Sequence, residues 1–276
     1  MTLRPRLIVS DLDGTFLDPM GQVTAINRDA VVDAVDAGIG VLLATGRPPR
    51  WLGVIEDLPV GHPLVISSNG ALLWDLQERR PLISHPVDAV VAQDAMAAIR
   101  DELPEVTFGV EIGMRFGHEP GWDWFEEAPV GDAFFTATGA DLVAEPFVKF
   151  LVQHVGLPSE PLAATVEQIV GDALTVTHSN FHSSTGLLEI SAPGVSKATL
   201  LQEWCIEQGI DAADVAAFGD MPNDRTMLEW VGQPHIMEQS HPSLHSVVGS
   251  SGRPAVRIGS NAASAVGAVS YTHLTL

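Results

Sequence analysis

The chain of 276 residues reads as an α/β protein, a doubly wound, mostly parallel sheet interrupted by an α+β insertion. Three observations predict this. Short apolar runs (RLIVS, IGVLLA, PLVISS) alternate with helical stretches in the first eighty or so residues, the pattern of a parallel sheet covered on both faces. From about residue 84 the texture changes to a helix, a hairpin and further strands, a segment of roughly a hundred residues and so close to domain size. After it the strand–helix alternation resumes with SKATLLQEWCIEQG and DVAAFGD.

Residues 6–10 (RLIVS) are predicted as a buried strand that runs into Asp11, Asp13 and Gly14. Residues 24–37 have helical periodicity, with Thr24 placed to cap the start and Gly38 to stop the end. Residues 39–44 (IGVLLA) are a second buried strand. TGRPPR then turns, WLGVIEDL suggests a helix, and residues 63–71 (PLVISSNGA) are a third strand and turn. In the insertion, 85–103 reads as one helix and 106–117 as a hairpin. FVKFLVQHV reads as a strand, TVEQIVGDA as a helix, and LTVTHSN and LLEISA as strands. Beyond it come a helix over 196–209, a strand over 214–220 ending in Asp220, the helix start NDRTMLEWVG, and a last strand and helix in PAVRIGS and NAASAVGAV. The expected divisions are therefore 1–83 and 188–268 for the two parts of the core and 84–187 for the insertion. The last eight residues, VSYTHLTL over 269–276, contain the only tyrosine and resemble the translation of a transposase-type sequencing adapter. They are expected to be a non-native tail.

Composition narrows the function. Hydrophobic residues make up 46% of the chain, enough for a sizeable core, and no apolar run reaches the roughly 18 residues of a membrane span. Cys205 is the only cysteine, so no intrachain disulfide forms and a cytoplasmic location is the default. A net charge of −21 disfavours nucleic acid and anionic membranes as partners. The expected partner is a small molecule, and the chain is expected to be a monomer or weak homodimer. Lys149 and Lys197 are the only lysines among 14 basic residues, which marks each as a site-specific choice.

Four pieces stand at the carboxyl ends of predicted core strands or at a helix start. They are Asp11 with Asp13, Thr45, Lys197, and Asp220 with Asn223 and Asp224. Ligands bind at the carboxyl ends of strands in open α/β sheets, so all four can converge on one crevice. Asp11, Asp13 and Asp220 offer oxygens that suit a hard cation such as Mg²⁺, which would also relieve the repulsion between close acids. Lys197 and Thr45 suit the oxygens of a phosphoryl group, whose transfer needs mainly positioning and charge neutralisation. One carboxylate can attack phosphorus. A second can protonate the leaving oxygen and later deprotonate water. Gly14 allows a sharp turn that aims nearby amides at the phosphate. Arg47 and Arg50 could meet an anionic substrate or be ordinary surface arginines, and Asn69 is expected at the crevice wall. In the insertion, Arg115, His118, Trp122, Trp124, His178 and His182 are candidates for reading the leaving group, although each also suits surface or packing roles.

DLDGT, the Thr45 of ATGR, SNGA at 68–71, GVSKATLL and GDMPNDRTML together resemble the ordered motifs of the haloacid dehalogenase superfamily. The match is nearest to its Cof-type, subfamily IIB phosphatases and covers nearly the whole chain. The resemblance implies a Rossmann-like core with the insertion as an α/β cap, and a Mg²⁺-dependent phosphatase acting on a small phosphorylated metabolite, a sugar phosphate first, through an aspartyl phosphate. Asp11 would be the nucleophile and Asp13 the general acid/base. Thr45 and Lys197 would hold the transferring group, and Asn223 would touch it or its surroundings. Asp220 would bind the metal with the Asp11 carboxylate and the Asp13 backbone carbonyl. Asp224 would orient Lys197 or metal-bound water. The family usually carries a glycine–asparagine pair after the methionine that follows its fourth motif; here Glu238 and Gln239 stand there. A phosphotransferase such as a sugar phosphomutase would use the same intermediate. A non-enzymatic phospho-acceptor switch fits less well, because receivers are single small domains without such an insertion. A calcium loop fails because Gly14 comes too early for its pattern.

Overall fold

The structure, a computed structural model, describes residues 4–124, 131–180 and 184–274. The chain divides into two compact units. One comprises Met1–Arg47, Trp51–Leu82 and Ser196–Leu276, and the other Pro48–Arg50 and Ile83–Val195.

The first unit begins with β1 (Leu7–Ser10), buried throughout, as an inner strand covered on both faces must be. Helix α1 (Ala25–Asp36) starts where Thr24 accepts a hydrogen bond from the Asn27 amide, the capping expected of threonine there. β2 (Gly40–Ala44) and β3 (Leu64–Ser67) follow. WLGVIEDL does not form a helix. It makes two 3₁₀ turns, Pro49–Trp51 and Gly53–Ile55. Pro49, Gly53 and Pro59 leave too short a span to offset helix nucleation. After β3 the chain reverses through Ser68, Asn69 and Gly70, all with positive φ (51°, 57° and 98°). It returns as β4 (Leu72–Asp75), antiparallel to β3, and continues into the mostly exposed edge strand β5 (Arg80–Ser84). Neither strand was expected from the sequence.

In the second unit, helix α2 (Ala89–Glu102) begins later than residue 85 because Asp88 caps it, accepting from the amides of Val90 and Val91. β6 (Thr107–Ile112) and β7 (Arg115–His118) form the expected hairpin, and β8 (Phe134–Thr136) lies parallel to β7. β9 (Lys149–Val155), helix α3 (Ser159–Val170), β10 (Thr175–Asn180) and β11 (Thr185–Ser191) complete a sheet of order β10-β11-β9-β6-β7-β8. Alternate residues Phe108, Val110, Phe150, Val152, Leu188 and Ile190 point to one face and form its core with Ile99 and Val166 of the helices. The boundary expected between 187 and 188 falls inside β11, whose full length pairs with β9. The unit therefore runs on to Val195.

Back in the first unit, helix α4 (Lys197–Gln208) opens with a capping box in which Ser196 and Thr199 exchange hydrogen bonds. β12 (Val215–Gly219), the short helix α5 (Arg225–Trp230), β13 (Gln233–Ile236), β14 (Val256–Arg257) and helix α6 (Ala265–Leu274) follow. β13 escapes the sequence pattern because it contains Pro234. β14 pairs only with His235 and Ile236, so Pro234 has an open side where its missing N–H does no harm. The sheet order is β14-β13-β12-β1-β2-β3-β4-β5, parallel from β14 to β3. Two helix pairs, α1 with α6 and α4 with α5, pack with it. Among the described residues no helix is long and apolar enough to cross a membrane.

Candidate active site

The order of the strands places β1 between β12 and β2. Asp11 therefore leaves β1 beside Asp220, which leaves β12, and near Thr45, which leaves β2. This is where the strand order reverses, the place at which such sheets bind ligands. The Asp11 amide donates to Phe218 O at 3.0 Å, which ties the start of the loop to β12. Residues Leu12–Phe16 then form one wide turn, with Phe16 N donating to Asp11 O and Leu17 N to Leu12 O. Gly14 sits in it at φ +78°, and a Cβ there would lie 2.2 Å from Asp220 Oδ2. Glycine is thus required twice, for the backbone conformation and for the room the carboxylate occupies.

Lys197 is brought to the same place by the cap of α4. Its Nζ donates to Asp11 Oδ1 at 2.5 Å and to Asp224 Oδ1 at 2.7 Å. The start of α4 is seated by Gly70, where a Cβ would meet Ser196 O at 2.0 Å. Asp224 accepts at its other oxygen from the amides of Asp220 and Met221, both at 3.0 Å. It thereby fixes the turn that aims Asp220, and Gly219 leaves it the space. Thr15 Oγ1 donates to Asp220 Oδ1 at 3.0 Å.

Asp11, Asp220, Asp224 and Lys197 are all buried, so one lysine, paired with Asp11 and Asp224, stands among three acids. Burial pushes the Asp11 carboxyl well above its usual range despite Lys197. Burial, with Asp224 next, pushes Asp220 up to about 7. Burial would by itself lower the Lys197 ammonium, but Asp11 and Asp224 hold it above its ordinary value. The cluster therefore holds more carboxylates than its lysine balances, and burial raises two of them above their usual range. Ligand oxygens of Asp11, Asp220 and Asp224 lie within 4.8 Å of one another. An all-oxygen set of this kind fits a hard divalent cation. Asp224 already serves Lys197 and two amides, which leaves Asp11 and Asp220 as the better donors.

Asp13 turns away from this cluster. Its carboxylate is more than half exposed and is gripped by Arg47, Nε to Oδ2 at 2.7 Å and Nη2 to Oδ1 at 2.5 Å, the two-point geometry of a guanidinium on a carboxylate. Arg50, the other arginine considered for an anionic substrate, is instead buried against Glu111. Thr45 Oγ1 accepts from the Arg47 amide and retains an O–H to donate. The Asn69 backbone amide donates to the Thr45 carbonyl at 3.0 Å, and its side chain accepts at Oδ1 from Asn223 Nδ2 at 3.0 Å, so Asn69 and Asn223 meet although 154 positions apart.

The structure thus gathers Asp11, Gly14, Thr45, Lys197, Asp220, Asn223 and Asp224, with Asp13, Arg47 and Asn69 beside them. Sequence reasoning missed Thr15, whose buried hydroxyl stands inside the DLDGT motif itself, and Gln239, whose Nε2 donates to Gly14 O at 2.6 Å. The signal for Gln239 was its departure from the expected glycine–asparagine pair. The candidates of the insertion stay within the second unit. Arg115 pairs with Glu145, and His118, Trp122 and Trp124 cluster around Phe116. His178 is on β10, and His182 lies outside the described residues.

The sequence pattern of the haloacid dehalogenase-like hydrolases matches residues 8–249. The pyridoxal phosphate phosphatase YbhA of Escherichia coli is 25% identical over 98% of both chains. The HMP-PP phosphatase of Yersinia pseudotuberculosis is 26% identical over 87% of this chain and 86% of its own. The subclass IIB sugar phosphatase BT4131 has the same fold, with a TM-score of 0.79, 15% identity, and coverage of 98% of this chain and 99% of that one. The chain belongs to the haloacid dehalogenase-like hydrolases, and within them to the phosphatases.

Proposed function

We propose that the protein is a Mg²⁺-dependent phosphatase that cleaves a small phosphorylated metabolite, a sugar phosphate first among them, through an aspartyl phosphate on Asp11. The observation that carries this is the buried cluster in which Lys197 bridges Asp11 and Asp224 while, among the described residues, Asp220 forms no ion pair with a basic side chain.

Asp11, with one oxygen held by Lys197, attacks phosphorus with the other, and the bond to the leaving oxygen breaks. Asp13 gives that oxygen a proton and then takes one from the water that attacks the acyl phosphate, which returns Asp11 and releases inorganic phosphate. In the structure Arg47 holds the Asp13 carboxylate by both oxygens, so Asp13 must leave that pair and take a proton from solvent before it serves as the acid. Lys197, Thr45 and Asn223 steady the transferring group. Asp224 orients Lys197, and Thr15 orients Asp220. Asp11, Asp220 and the Asp13 backbone carbonyl would hold Mg²⁺, which would supply neutralising positive charge to the reaction.

A cytoplasmic enzyme is in keeping with a single buried cysteine, Cys205, which has no second cysteine to pair with. The test is hydrolysis of p-nitrophenyl phosphate with Mg²⁺ and with EDTA. A phosphometabolite panel that includes sugar phosphates, pyridoxal phosphate and a pyrimidine pyrophosphate should then be ranked by kcat/KM. Activity that persists unchanged in EDTA removes the metal from the reading. Phosphate returned to an acceptor rather than to water makes the enzyme a phosphotransferase.

A further inference from the structure

The loop that carries Asp11, Asp13 and Thr15 is tied down by three carboxamide side chains, one from the following helix α1 and two from the far end of the chain. Gln239 Nε2 donates to Gly14 O at 2.6 Å, Asn27 Nδ2 to Phe16 O at 2.6 Å, and Asn261 Nδ2 to Leu17 O at 2.9 Å. Gln239 Nε2 also donates to Asn261 Oδ1 at 3.2 Å, which joins two of the three. Asn27 Oδ1 in turn accepts from the Gly267 amide at 2.9 Å. The reason for such ties is local. Asp13 and Gly14 break the helical geometry of the turn, and its own long hydrogen bonds use the carbonyls of Asp11 and Leu12. The later carbonyls need partners from elsewhere.

These partners differ in what they do. Asn27 is fully buried and Asn261 nearly so, and both also join the loop to α6 or the turn before it. Gln239 is exposed and packs little. It reaches the one carbonyl that lies between the glycine against Asp220 and the threonine bonded to Asp220. A peptide unit is planar and trans, so a fixed Gly14 carbonyl also fixes the Thr15 N–H, pointing the opposite way, and the place of the Thr15 Cα. Thr15 Oγ1 then meets Asp220 Oδ1 at 3.0 Å.

We propose that Gln239 is a positioning residue for catalysis. By holding the Gly14–Thr15 peptide it sets the Thr15 hydroxyl, and through it the Asp220 carboxylate, in the geometry the reaction uses. This rests on the phosphatase reading above and adds a residue that touches no reacting atom.

The test is steady-state hydrolysis of p-nitrophenyl phosphate at saturating Mg²⁺, with thermal unfolding in parallel, for the wild type, Gln239→Ala, Gln239→Glu and Gln239→Asn. Glutamate keeps the shape but loses the donor at neutral pH; asparagine keeps a donor on a shorter arm. Alanine and glutamate should each lower kcat about tenfold, the effect of one neutral hydrogen bond. KM should stay within about twofold, and Tm within about 2 °C because the side chain is exposed. Asparagine should recover part of the loss. A kcat for Gln239→Ala within twofold of the wild type, or a loss in Gln239→Glu smaller than in Gln239→Asn, overturns the inference while the phosphatase reading stands. A wild type with no hydrolysis overturns both.

Discussion

Gly14→Ala separates backbone strain from site geometry. At φ +78° an alanine adopts a left-handed conformation, which costs roughly 1–2 kcal/mol. Its Cβ would also lie 2.2 Å from Asp220 Oδ2, where ordinary contact begins at 3.4 Å. The carboxylate must therefore retreat by about 1.2 Å, and displacements near 1 Å cost about a hundredfold in rate. Gly38 is the matching control. It has φ +76° with nothing within 4 Å of its virtual Cβ, so Gly38→Ala bears the same backbone cost and disturbs no acid. Both variants should lose a few degrees of Tm, and only Gly14→Ala should lose p-nitrophenyl phosphatase activity, by about a hundredfold or more. Purified proteins assayed side by side by calorimetry and initial rates decide the matter. Equal activity in the two variants would refute the idea that Asp220 must stand against Gly14 for turnover.

Asp11→Asn should remain folded and lose at least about a thousandfold in kcat, roughly 4 kcal/mol of barrier; a loss below tenfold in initial-rate assays would take the nucleophile's role from Asp11. Asp220 gives a pH dependence whose sign can be worked out. Its carboxyl is pushed up to about 7 in the fold, against about 3.9 in an unfolded chain, so between these values the folded state binds the extra proton. The contribution is complete below about pH 4 and is lost as pH rises toward 7, by up to about 1.4 kcal/mol per unit. In EDTA the wild type should lose stability relative to Asp220→Asn between pH 5 and 7, as read by urea melts. A difference that grows in the wild type's favour over that range would contradict the burial of an unbalanced carboxylate.

Much of this protein was legible in one dimension. VLLA is apolar at every position and LIVS at all but Ser10, a pattern that strands buried on both faces tolerate, so β1 and β2 followed from composition alone. Thr24 announced α1, and Ser196 announced the start of α4, because capping is a local reaction between a side chain and the next few amides. Asp11, Thr45, Lys197 and Asp220 could be picked out because each ends a strand or opens a helix, and chemistry in such sheets collects at those ends. What could not be read was whatever depends on a partner distant in sequence. β4 and β5 exist because three successive left-handed residues fold the chain back onto β3, and β13 because β14 leaves Pro234 an open side. The pairing of Asp13 with Arg47 was equally hidden, as were the bonds of Thr15 to Asp220 and of Gln239 to Gly14. The sequence by itself determined which residue types would end the core strands. Only the tertiary structure decided which of four close acids would share the lysine, which would turn to the arginine, and which would be left for a cation. Those outcomes depend on burial and on distances of a few ångströms between segments some two hundred residues apart.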